Sequence, residues 1–164
     1  MSKLKVSSTF ATEIADVDKL RFNEAVASGL YPCAPATKAG AVRYFDLNDI
    51  IVLTVYRHLL HEGTLPRSAG PMACGLLDLL RQFPEAERVV WVKSSMGSDG
   101  WFLVKDFDRD AEIMPGGTDV VSFREWRLKF MRERISFKME ESAKLIAHPA
   151  DKTAEETSTY GTED

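Results

Sequence analysis

Lys19, Arg21 and Asn23 stand at alternate positions at the start of a segment that reads as a short helix. An arginine guanidinium pairs with guanine, and an asparagine amide with adenine, each through two hydrogen bonds to the base edge. Helix-turn-helix proteins place the first turns of their second helix in the major groove, where such side chains meet base edges. The competing interpretation of all three is an ordinary solvated helix face. Lys38 and Arg43 follow in a turn-rich stretch, where cations would hold phosphates and set the register. Tyr44 either hydrogen-bonds a phosphate or covers the core. Thr9 and Thr12, in the first short helix, would offer amides and hydroxyls to the backbone, as helix N-termini do for anions.

Other constellations carry less. His58 and His61 are three apart with Glu62 behind them, whereas zinc-protease histidines are four apart with the glutamate between. A place near a helix C-terminus suits a histidine without any metal. Ser94 to Ser98 lacks the glycine-lysine end of a phosphate cradle. No serine or cysteine has a base at recognisable spacing, and His148 stands alone, so neither an enzyme nor a cofactor is expected. Cys33 and Cys74, the only cysteines, are far apart with no CxxC and are expected to be unpaired thiols in a reducing compartment. Trp91, Trp101, Phe102 and Trp126 either line a pocket for an apolar effector or fill the core of a small hairpin module.

The elements that would position these residues can be followed along the chain. Residues 1–8 read as a flexible, lightly basic arm, and Thr9 as an N-cap. Phe10, Ile14 and Val17 make one apolar face of a first helix. Asp16-Val17-Asp18 breaks it, and Asp18 caps a second helix over roughly Lys19 to Ser28, with Leu20, Phe22 and Val26 inward and Gly29 closing it. Pro32, Pro35 and Gly40 forbid a helix, and Leu30 to Phe45 reads as a β-hairpin wing carrying Lys38 and Arg43. Asp46 and Asp49 form a carboxylate capping box for a helix ending at Glu62-Gly63. Pro66 starts a further helix, roughly Arg67 to Arg81, with Pro71 near its first turn. Val89 to Val92 and Trp101 to Val104 read as a hairpin, with Asp119 to Val121 as an optional third strand. Ser122-Phe123-Arg124-Glu125 reads as a capping box opening a long helix to Ala147. One stripe of that helix is Leu128, Met131, Ile135, Met139 and Ile146; a second is Phe123, Trp126, Phe130 and Phe137. Two stripes are too many for one partner, so the first is assigned to a second copy of the chain.

The totals fit this outline. At 164 residues, 45% hydrophobic and 28% charged, the chain has the composition of a soluble globular protein. No apolar run approaches the ~20 residues of a membrane helix, and the start is not a secretory signal, so a cytoplasmic place is expected. The net charge of -4 resides in residues 149–164, where five acids face only Lys152, and this acidic tail is expected to be disordered. The remainder is neutral. Residues 1–45 hold six bases against four acids, a modest basic bias in the candidate reading head.

Leu20-Arg21-Phe22, Gly29-Leu30-Tyr31-Pro32, Gly40 and Arg43-Tyr44-Phe45 with Asp49-Ile50 together resemble the DNA-binding head of the MerR family of bacterial regulators. The resemblance spans roughly Thr9 to Arg81, with Leu59 to Leu80 similar to the family's next helical pair. It implies a winged helix-turn-helix over residues 1–84, followed by a β-hairpin and a long dimerisation helix over 85–148. The expected fold is therefore mainly α with a small β component. It also implies a homodimer on double-stranded DNA that regulates transcription, and for Arg21 a role in phosphate contact and packing. Asn23 stands where the family pattern has an aromatic residue, the region before the wing is longer, and a hairpin intrudes before the long helix. Two rival functions stay open: an excisionase-like or phage architectural DNA-bending protein, and a protein-interaction module of the antitoxin or antirepressor kind.

Overall fold

The computed structural model describes residues 4–147. It is a mixed α/β chain of five helices with two small antiparallel sheets. The His148 and acidic-tail readings lie outside the described residues, as does the side chain of Ile146. No described helix is long and apolar enough to cross a membrane.

The N-terminal arm is built into the fold. Val6–Ser7 forms β1, which pairs antiparallel with β2, Tyr44–Phe45. Val6 and Phe45 are buried in the core. This two-stranded ribbon replaces the expected wing: residues 30–43 are turns and bends without a hairpin. Pro32 and Pro35 supply no amides for a ladder, and Tyr44-Phe45 pairs with the arm instead.

Helix α1, Ser8–Ala15, begins one residue before Thr9, so Thr9 is helical and does not cap. It ends at Asp16 in the left-handed region (φ 57°). Asp18 then caps α2, Lys19–Ala27, by accepting from the Arg21 amide at 2.9 Å. Phe22 and Ala25 face inward, and Leu20 does not: it is 75% exposed. The inward face of α2 is set by positions 22, 25 and 26, three and four apart, and position 20 lies off it.

Helix α3, Leu47–His61, carries the capping box in full, with Asp46 and Asp49 each accepting the other's amide at 2.9 Å. Its Ile50, Ile51, Leu53 and Val55 are fully buried, making it the central element. Burial pushes the Asp49 carboxyl up to about 6, with the neighbouring Asp46 carboxylate adding to it. The folded chain therefore holds a proton between about pH 4 and pH 6 that the unfolded chain releases. The stabilisation is complete below that window and is lost as pH rises through it, by up to about 3 kcal/mol. An Asp49→Asn chain keeps an oxygen acceptor for the Asp46 amide. Its urea-unfolding free energy, subtracted from that of the wild type across pH 4 to 7, is expected to show this slope; a flat difference would contradict it.

Helix α4, Pro66–Gln82, starts at Pro66 and takes Pro71 into its interior rather than its first turn. The following sheet has the order β4-β3-β5, with β3 Arg88–Lys93 central, β4 Gly100–Leu103 and β5 Ser122–Arg127. Strand β5 occupies the residues read as a capping box, and Val120-Val121 precedes it. The S-x-x-E pattern loses because Val90 to Lys93 offers an open ladder to Ser122 to Glu125. A strand there places Trp126 opposite Val89, on the buried face. Val89, Trp101, Leu103 and Trp126 pack toward the helices, while Val90, Val92 and Met114 are buried with the 104–121 connection on the other side of the sheet. Trp91, Trp101 and Trp126 stack in succession at 5.1 and 6.1 Å, and Trp101 donates its indole N–H to the Met72 carbonyl at 2.7 Å. These aromatics fill the sheet–helix junction rather than line a pocket.

Helix α5, Lys129–Ala147, therefore starts seven residues later than expected. It lies against α1, α3 and β1. One buried cluster joins Ile50, Leu76, Val89, Leu128 and Met139, so residue 84 does not separate two cores.

Candidate nucleic-acid interface

The tight left-handed turn at Asp16 sets α2 after α1, and the β1–β2 ribbon sets Arg43 and Tyr44 beside the start of α1. The Ser8 amide donates to the Arg43 carbonyl at 2.9 Å, and Ser7 sits opposite Tyr44. Lys19 Nζ donates to Thr9 Oγ1 at 2.7 Å, linking the start of α2 to the start of α1. Thr9, Lys19, Arg21, Asn23 and Tyr44 are all exposed, and Arg43 is half-buried. The N-terminus of α1 has no side-chain cap. The fold thus brings Thr9, Lys19, Arg43 and Tyr44 to neighbouring positions and leaves Arg21 and Asn23 on the exposed side of α2.

One expected member does not fit. Thr12 is buried, and its hydroxyl bonds the Ser8 and Thr9 carbonyls inside α1, so it is not available to a phosphate. Lys38 lies in an exposed turn closed by the Ala41 amide on its carbonyl, and its side chain bonds no other described residue. Leu20 is the residue that sequence reasoning missed. Beside Lys19 and Arg21 on the open surface, it presents a methyl-rich tip suited to a thymine methyl group. Only the phase of the buried positions on α2 could have signalled it.

Beside α2 a groove of about 710 Å³ is lined by Asp16, Asp18, Arg21, Tyr56, Arg57 and His61 among others. Arg57 bridges Asp16 at 2.6 Å. His58 stacks edge-on to Trp126 at 6.3 Å, and burial, helped by Arg57, lowers its pKa. Arg124 lies over the Trp126 ring at 3.9 Å and pairs with Glu62, tying the end of α3 to the sheet. No group of three histidine, cysteine or carboxylate side chains able to hold a metal ion occurs among the described residues.

The cysteine expectation is corrected. Cys33 and Cys74 form a disulfide, with Cα atoms 5.4 Å apart across 41 residues of sequence. The segment after α2 lies directly on α4: a Cβ on Gly70 would stand 1.7 Å from the Leu30 carbonyl oxygen. That contact brings Cys33 to Cys74, and sequence spacing carries no trace of it.

The stripe assigned to a second copy is also corrected. Leu128, Ile135 and Met139 are buried in the chain's own core, with Met131 half-buried. Leu128 precedes α5, and its amide donates to the Glu87 carbonyl at 2.7 Å. Of the second stripe, Trp126 is internal, while Phe130 and Phe137 are 77% and 61% exposed.

No family model matches the chain, and no curated protein matches it.

Proposed function

We propose that the chain is a sequence-specific duplex-DNA-binding protein that regulates transcription, with a helix-turn-helix as its reading head. The observation that carries this is the grouping just described. Two short helices meet at a tight left-handed turn, with Lys19, Leu20, Arg21 and Asn23 open on the second. Arg43 and Tyr44 are held at the start of the first by a ribbon that includes the N-terminal arm. Arg21, Asn23 and Leu20 read bases, and Lys19, Thr9, Arg43 and Tyr44 meet phosphates. The resemblance to MerR-type heads points the same way. In that comparison the β1–β2 ribbon takes the place of the wing's base.

Fluorescence anisotropy against genomic fragments tests the reading. Wild-type affinity is expected to fall steeply with salt, with a slope of about -0.9 per phosphate contact. Arg43→Ala weakens binding to every sequence alike and flattens that slope by about one unit. Asn23→Ala costs about 1–3 kcal/mol on the preferred site and relaxes the base choice at one position. No duplex binding at low salt would remove the reading and leave the protein-interaction alternative.

A homodimer belongs to the same proposal, with a different face from the stripe read in the sequence. Phe137 stands 61% exposed on α5, and an exposed aromatic so placed suits a second copy. Phe137→Lys is expected to sediment as a monomer at concentrations where the wild type is a dimer. Wild-type chain that is monomeric at high micromolar concentration would contradict it.

A further inference from the structure

We infer that a basic groove between α1, α3 and the start of α5 is a second phosphate-binding surface, which holds duplex DNA flanking the sequence read by α2; the inference rests on the DNA-binding reading above. The groove has a volume of about 400 Å³. Four cations line it: Arg57 on α3, Arg127 at the end of β5, and Arg134 and Lys138 on α5. The one carboxylate in its wall is Asp16, already bonded to Arg57. Ile14, Ala15, Met131 and Ile135 form the rest of its lining together with Thr54, His58 and Phe130.

Three observations point to an anionic occupant. First, Arg127, Arg134 and Lys138 make no ion pair with any described residue, and no carboxylate besides Asp16 lines the groove with them. Second, Arg134 and Lys138 stand four apart on one helix, a like-charge spacing that is unfavourable until something neutralises it. Third, Arg57 bonds Asp16 through one guanidinium nitrogen, so further guanidinium N–H groups remain for a second anion. The chain before the tail has no net charge, so four cations against one carboxylate around one groove are a local concentration.

Position favours DNA over another anion. Asp16 and Arg57 line both this groove and the one beside α2. Arg21, Arg57, Arg134 and Lys138 therefore follow one another along continuous surface from the reading helix to α5. A phosphate backbone leaving α2 meets this track next. Such contacts add affinity and salt dependence without adding sequence information.

The test uses the full chain and a series of duplexes trimmed toward the mapped site. Arg127→Gln, Arg134→Gln and Lys138→Gln together are expected to flatten the salt slope on the longest duplex by about 2–3 units and to weaken binding at 0.1 M salt at least ~10-fold. On the shortest duplex that retains the site, variant and wild type bind alike. Arg43→Ala weakens both duplexes equally. Equal wild-type and variant binding on the long duplex overturns the groove and leaves the reading head intact. A variant that binds DNA like the wild type but sediments differently assigns the groove to a second copy and likewise overturns the inference. Wild-type protein that binds no duplex at all overturns both readings together.

Discussion

Gly70→Ala is expected to destabilise the chain by about 3 kcal/mol. A methyl group there would occupy the space of the Leu30 carbonyl oxygen, at 1.7 Å, with the Leu30 carbonyl carbon 2.8 Å away. Both are backbone atoms, so no rotamer change relieves the clash. Either α4 withdraws or the segment after α2 is displaced. Alanine's better helix propensity returns about 1 kcal/mol and does not offset this. Gly75→Ala is the control on the same helix. Its new methyl group would lie 3.3 Å from a ring carbon of Trp101, a side chain able to yield by tenths of an ångström. Differential scanning calorimetry is expected to place Gly70→Ala about 10 °C below wild type, using about 2–4 °C per kcal/mol for a chain of this size. Gly75→Ala is expected to stay near wild type. If the two variants melt together, α4 and the Leu30 backbone are not in contact.

Removing the disulfide is expected to cost about 4 kcal/mol, because a cross-link across some 40 residues restricts the unfolded chain by about that much. Cys33→Ser with Cys74→Ser, or addition of a dithiol reductant to the wild type, lowers the urea midpoint accordingly. The loss is localised. Cys33 anchors the turn-rich segment that leads to Lys38 and Arg43, and Cys74 is nearly buried on α4. With the bond gone, that segment keeps the Gly70 contact and the β1–β2 ribbon, so the helices remain folded while residues 33–43 loosen. Hydrogen exchange read by mass spectrometry is expected to rise there first. Native protein that titrates with two free thiols would contradict the pairing.

The local signals in this chain were accurate where the chemistry is short-range. Asp18 caps α2, the Asp46–Asp49 box opens α3, and Gly29 follows α2 with φ 76°. Each depends on a side chain meeting an amide within three or four residues, or on one residue's backbone freedom. Most of the exposed positions on α2 were legible for the same reason. Local signals misled where two of them competed. Ser122 to Glu125 satisfies a capping box and a strand equally well, and β3 decides between them by offering a ladder. Pro32 to Gly40 announced turns, and the hairpin inferred around them did not form.

Charge pattern, caps and apolar periodicity thus determine on their own that α1, α2, α3 and α4 exist, where they begin within a residue or two, and that Lys19, Arg21 and Asn23 stand open on α2. Tertiary structure alone decides the rest. It turns the N-terminal arm into the partner strand of Tyr44-Phe45, joins Cys33 to Cys74, and buries Leu128, Ile135 and Met139 against the chain's own helices rather than against a second copy. It also gathers Arg57, Arg127, Arg134 and Lys138 from three elements into one groove. The physical reason is the same in each case. An apolar stripe, a thiol or a cation specifies what kind of partner it needs, and only the folded path of the backbone determines which one it meets.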